Sequence, residues 1–220
     1  MCKIKAQNYN LSNVKGITLK QLTEHYKLYK GYVDKINEMW SIPNNSDMFP
    51  NSNSTYSKMR CLKRGESYAL DGVKLHELYF NNITSGSTPI CGKLLDKILR
   101  EFNSLDNFLK YFKEVGLSVR GWAILCIDPL DNKLHIFGSD THDNGAIWLS
   151  YPLLIMDVYE HAYFLDFGTD KSKYIDVFFK NVNWNIVNNR LKKYYNLMSL
   201  KNCNMRSYPN MPCPYFNNFF

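Results

Sequence analysis

The chain has 220 residues, 45% of them apolar, with 16 Tyr and 13 Phe and a formal net charge of +7. This content excludes general disorder and suits one globular unit or two tightly joined halves. The lysines are spread along the chain rather than gathered on one element, which argues against nucleic acid as a partner and leaves a positive field suited to capturing a small anion.

Residues 1–16 are polar and read as irregular. Thr18-Leu-Lys-Gln21 has the form of a capping box, in which a hydroxyl and an amide side chain each satisfy a free backbone donor. A helix is predicted from there to about Trp40, with Leu22, Tyr26, Tyr29, Val33 and Ile36 on one face and Gly31 as a weak point. Residues 41–58 are rich in Asn, Ser and Pro and read as a long loop. A second helical region spans about Tyr56 to Ile83, with a break expected near Gly65 or Gly72. The polar connector Thr84-Ser-Gly-Ser-Thr-Pro89 divides the chain.

Beyond it, Leu94, Leu95, Ile98, Leu99 and Phe102 keep helical spacing, as do Phe108, Leu109 and Phe112, so two helices are predicted to join near residues 104–106. Trp122–Ile127 reads as a strand that Leu134–Phe137 pairs with across the turn at residues 128–132. A third strand is predicted over Ala146–Tyr151. Helical patterns return at Ile175–Val182 and Ile186–Leu197. The fold class is therefore α+β, with a helical first half and a mixed second half. Residues 198–220 carry Cys, Pro, Asn and aromatics without helical period, and are expected to form a disordered tail outside the core.

The six Cys, at positions 2, 61, 91, 126, 203 and 213, include no C-x-x-C pair, so neither a zinc ribbon nor a dithiol redox motif is present and reduced thiols are expected. The N-terminus lacks the apolar stretch of a signal peptide, and apolar runs such as Tyr151–Met156 are too short to span a bilayer. No membrane association and a cytoplasmic location are expected.

Chemistry concentrates in Asp157-Val-Tyr-Glu-His161, where a carboxylate and an imidazole stand four residues apart among apolar neighbours. A buried carboxylate is costly unless paired or coordinated. Taken singly, His25 and His76 read as ordinary half-buried histidines, His135 as solvent-facing and His142 as a surface-loop residue. Taken together, three His and one Asp in apolar or aromatic settings form a nitrogen and oxygen set that suits iron, manganese or zinc. Spacing selects neither the metal nor the reaction.

Asp157-Val-Tyr-Glu-His161-Ala-Tyr resembles the D-x-W-E-H-A-Y signature of the iron/manganese superoxide dismutases. His76-Glu-Leu-Tyr-Phe80, Gly121-Trp122-Ala-Ile-Leu, the Tyr174–Trp184 stretch and His25–Val33 resemble further motifs of that family, in its order, over roughly residues 18–197. The resemblance implies an N-terminal helical hairpin domain over 1–88 and a C-terminal α/β domain with a three-stranded antiparallel sheet over 89–197. It implies one manganese or iron ion per subunit, held by His25, His76, Asp157 and His161, and superoxide as substrate. Tyr32 would gate the channel and Trp122 would wall it. Glu160 would reach a ligand histidine of a second subunit, making a homodimer.

Four departures qualify the implication. His25 and Tyr32 are seven residues apart where the family has eight; Tyr159 replaces a Trp; Phe164 replaces a Tyr; and the residue expected to bond metal-bound solvent is His142 rather than a Gln, Gly72 standing at the alternative place. An imidazole there suggests a site that accepts manganese, iron or both. Two other readings stand beside the dismutase: a different non-haem metal oxidoreductase, and a catalytically weak structural member whose tail contacts a protein layer such as a spore coat, with Tyr208 and Tyr215 available for cross-linking.

Overall fold

The computed structural model describes residues 3–12, 14–145 and 147–206, with side chains through Ser199. The helices are α1 (Leu19–Trp40), α2 (Lys58–Asn82), α3 (Gly92–Phe102), α4 (Leu105–Ser118), α5 (Glu160–Phe167), α6 (Lys171–Phe179) and α7 (Trp184–Arg206). The strands are β1 (Trp122–Ile127), β2 (Leu134–Ser139) and β3 (Tyr151–Asp157), in one antiparallel sheet of order β2-β1-β3.

The two long helices α1 and α2 pair along apolar stripes. Leu22, His25, Tyr29, Val33 and Ile36 face inward from α1; Ala69, Gly72, Val73, His76, Tyr79 and Phe80 do so from α2. Both sets recur every three or four residues, which keeps them on one side of a helix. The expected break in α2 does not occur, because a single glycine costs only about 1 kcal/mol inside a long, well-packed helix. Gly72 is itself a close-packing position: a Cβ there would lie 3.1 Å from the Tyr32 ring.

Thr18 caps α1, accepting from the Gln21 amide at 3.1 Å. The reciprocal half of the capping box is absent. Gln21 is fully buried and instead ties α1 to α5, donating to the His161 carbonyl at 2.6 Å and accepting from the Leu165 amide at 3.0 Å. The Thr18 amide donates to Asp166 at 2.6 Å.

The third strand begins only at Tyr151, the last residue of the predicted segment. Residues 147–150 form a turn and the apolar run 151–157 is the strand. Pro152 is tolerated because β3 is an edge strand with a register shift opposite Leu125/Cys126. The tail expectation also changes. Helix α7 continues to Arg206, and Met198 still packs against the core. Residues 207–220, with Tyr208 and Tyr215, lie outside the described residues.

Arg190 on α7 locks three elements together. Its guanidinium donates to Asn82 on α2, to the Leu153 carbonyl on β3 at 2.8 Å and to the Leu78 carbonyl at 3.0 Å, with only 8% of the residue exposed. Among the described residues no helix is long and apolar enough to cross a membrane.

Candidate metal centre

The pairing of α1 with α2, and of both with the end of β3 and the start of α5, brings His25, His76, Asp157 and His161 together. One ligand atom from each lies within 4.8 Å of the others. Residues seven apart on a straight helix are nearly in line, so His25 and Tyr32 both turn toward this point and α1 needs no bulge. Glu24, one residue earlier, is exposed and pairs with Lys27.

Three imidazole nitrogens converge on one carboxylate oxygen. Asp157 Oδ2 is 3.0 Å from His25 Nε2, 3.1 Å from His161 Nε2 and 3.6 Å from His76 Nε2. The other oxygen, Oδ1, accepts from the Tyr159 amide at 3.0 Å, and the Asp157 carbonyl accepts from the buried Tyr174 hydroxyl at 2.8 Å. The first of these bonds fixes the carboxylate's rotation and the second holds the backbone that carries it.

The chemistry of His76 fits a set that could hold a cation. Its Nδ1 lies 2.6 Å from the Gly72 carbonyl, which only accepts, so Nδ1 carries the proton. Burial holds the imidazole well below its ordinary pKa, so the ring is neutral and Nε2 bears a lone pair. That lone pair is buried, has no hydrogen-bond partner and faces a carboxylate oxygen. Two electron-rich atoms facing each other in a dry site require a positive ion between them. His25 is likewise pushed down by burial, whereas Asp157 is held far below the usual carboxylate range because the His161 and His25 contacts outweigh its burial. Three imidazoles and one carboxylate form a set suited to a divalent or trivalent first-row metal.

The signs of these shifts give a pH dependence for the metal-free protein. His25 and His76 take up protons more readily unfolded than folded, so stability falls as pH drops below about 6.5. Asp157 acts in the same direction at lower pH, its contribution being present above its unfolded pKa and lost below it. Metal-free protein is expected to melt several degrees lower at pH 5.5 than at pH 7.5, read by thermal denaturation in chelator.

Around the ligands stands an aromatic wall. Trp122 is fully buried, pairs with Asp157 across β1 and β3, and meets His76 edge-on at 5.1 Å. Tyr159 stacks on His161 at 5.0 Å. His142, expected on the surface, is 2% exposed. The Trp122 indole donates to its Nδ1 at 2.9 Å, and its Nε2 lies 2.8 Å from the Tyr32 hydroxyl. Indole is only a donor, so Nδ1 accepts and the neutral ring carries its proton on Nε2, donating to Tyr32. Burial lowers the His142 pKa to about 4, which keeps it neutral. Burial raises the Tyr32 hydroxyl far above its ordinary value, so Tyr32 keeps its proton and can donate it toward the centre. Glu160 opens α5 and is exposed, apart from the four converging atoms.

Sequence reasoning passed over Gln21, whose amide anchors the His161 backbone, and Tyr68, whose ring covers His142 at 4.5 Å. The full burial of Gln21 comes from packing against α5, which begins more than a hundred residues later, and no local pattern carries that signal.

Residues 90–190 match the family described as iron/manganese superoxide dismutases, C-terminal domain. The chain is 38% identical over 185 residues to "Superoxide dismutase [Fe]" of Aquifex pyrophilus, covering 82% of this chain and 87% of that protein. The protein of the same name from Aquifex aeolicus is 37% identical over the same shares. "Superoxide dismutase [Mn] 1" of Halobacterium salinarum is 37% identical over 114 residues, 51% of this chain and 57% of that protein. With its helical first half, three-stranded antiparallel sheet and convergent histidine and aspartate set, the chain belongs to the iron/manganese superoxide dismutase family.

Proposed function

We infer that this protein is a superoxide dismutase using iron or manganese, with His25, His76, Asp157 and His161 as the ligands. The observation that carries the assignment is the unpartnered His76 Nε2 facing Asp157 Oδ2 at 3.6 Å inside a cluster of three histidines. The bound ion, alternating between two oxidation states, would take an electron from one superoxide and give one to a second, yielding dioxygen and hydrogen peroxide.

The chain's own residues supply the rest. Trp122, Tyr79 and Tyr159 exclude water from around the ligands, which strengthens electrostatic interactions there. Tyr32 holds a proton next to the centre. His142 orients that hydroxyl, since its single N–H is committed to the Tyr32 oxygen and leaves the phenol proton free for a substrate oxygen. The formal charge of +7 favours approach of an anion. Metal-free protein loaded separately with iron, manganese and zinc, then mixed with superoxide, tests the assignment. Iron or manganese is expected to restore consumption and zinc is not; equal inactivity with all three would overturn it.

A homodimer and cytoplasmic residence form part of the same proposal. The His161 side chain is 27% exposed beside Glu160, and Phe164 and Leu165 on the same short helix are 48% and 56% exposed. A second copy covering this edge would seal the ligand from solvent. Light scattering is expected to give twice the chain mass, and Glu160→Ala to shift the population toward monomer; a monomeric wild type would remove this part of the proposal.

A further inference from the structure

The turn that carries His142 also holds Asn144-Gly145, the only Asn-Gly step in the chain. Geometry demands the glycine. Its φ is +87°, and a Cβ there would lie 2.7 Å from the Gly138 carbonyl oxygen, so any other residue would have to displace backbone. Both residues are exposed. Among the described residues, neither the Asn144 carboxamide nor the Gly145 amide nitrogen has a hydrogen-bond partner.

Asn103 and Asn132 are exposed too, and share a positive φ, but the amides that follow them are engaged. Ser104 donates to the Phe102 carbonyl at 2.8 Å, and Lys133 donates to Asp131 Oδ1 at 2.9 Å. Asn51 is followed by Ser52, whose Cβ hinders the approach of its nitrogen to the preceding side chain. At Gly145 neither obstacle exists.

We propose that Asn144 is a site of spontaneous modification, where the Gly145 nitrogen closes on the side-chain amide and water completes the conversion to aspartate or isoaspartate. The Gly145 nitrogen gives up its proton and bonds to Asn144 Cγ. The Cγ–Nδ2 bond breaks, and ammonia leaves with a proton. Water then opens the cyclic imide at either carbonyl and leaves one carboxylate. No electron is transferred, and water is the only co-reactant.

The place of this step gives it a consequence. Ser139 Oγ donates to the carbonyls of both Thr141 and Asn144, closing the turn that holds His142. Isoaspartate turns the second of these carbonyls into a pendant carboxylate and lengthens the main chain by one carbon. Either product adds negative charge to a turn that already carries Asp140 and Asp143. The effect on turnover rests on the dismutase reading; the modification does not.

Metal-loaded protein incubated in mildly alkaline buffer, sampled by peptide mass spectrometry and isoaspartyl methyltransferase labelling, tests the proposal. Asn144 is expected to convert at least about tenfold faster than Asn51, Asn103 or Asn132, and Asn144→Gln to abolish conversion in that peptide. Converted wild type should lose about two- to tenfold in kcat/KM, while Asn144→Gln incubated alongside keeps its starting value. Conversion of Asn144 no faster than of the other three would overturn the proposal, and conversion with unchanged kcat/KM would overturn its consequence. If fresh metal-loaded wild type consumes no superoxide, the dismutase reading itself fails, and the mass spectra still decide the modification.

Discussion

Asp157→Asn is expected to abolish superoxide consumption, by at least about 10²-fold, and to make the metal-free protein less stable than metal-free wild type near neutral pH. The two halves of this result have different causes. Asp157 is the only carboxylate among the four convergent residues, and Oδ2 is the atom that all three imidazoles approach. An amide of the same shape removes the negative charge that draws a cation in, and it places either a weak acceptor or an N–H donor toward His76. The ion should then be lost. In metal-free wild type the His161 and His25 contacts outweigh the burial of the ionised carboxylate, so a neutral amide gives up that stabilisation. Melting curves with and without added metal separate the effects: metal should raise the wild-type midpoint and leave the variant's unchanged. A variant that retains stoichiometric metal and full activity would show that the ligand set is wrong.

Arg190→Met is expected to be the most destabilising single change away from the ligands, at about 3–5 kcal/mol. The methionine fills much of the volume but donates no hydrogen bond. Asn82 Oδ1 and the carbonyls of Leu153 and Leu78 would lose their partner in a buried region, and each unsatisfied acceptor costs about 1–3 kcal/mol. Burial already pushes this guanidinium down to about 10, a sign of how dry its surroundings are. For a chain of this size the loss corresponds to roughly 6–20 °C in melting temperature. Because Arg190 joins α2, β3 and α7, and the first two carry His76 and Asp157, the variant should also bind metal less tightly after refolding. A melting temperature within about 2 °C of wild type would show that these three bonds are not limiting.

The residues of the convergent cluster were legible because their chemistry is local. Asp157 and His161 stand four apart in an apolar stretch, and His76 sits on a face whose periodicity marks it as inward. The sheet was legible where a hairpin made it so, through Trp122–Ile127 and its partner strand. It failed at β3, where five consecutive fully enclosed residues, Leu153–Asp157, erase the alternation that identifies a half-exposed strand. His142 failed for the opposite reason. Its neighbours Asp140, Asp143 and Asn144 are those of a surface turn, yet Tyr32, Tyr68, Trp122 and Tyr159, from four separate segments, close over it. The helical extension to Arg206 was hidden by an asparagine-rich composition, although Leu191, Tyr194 and Met198 keep one face of α7 on the core.

The measurement that bears most directly on the central claim is the metal content of protein purified without chelator, determined by elemental analysis on the same sample whose superoxide consumption is recorded. The account predicts close to one iron or manganese ion per chain, with activity proportional to that content. Stoichiometric zinc without activity, or superoxide consumption independent of bound iron and manganese, would contradict it.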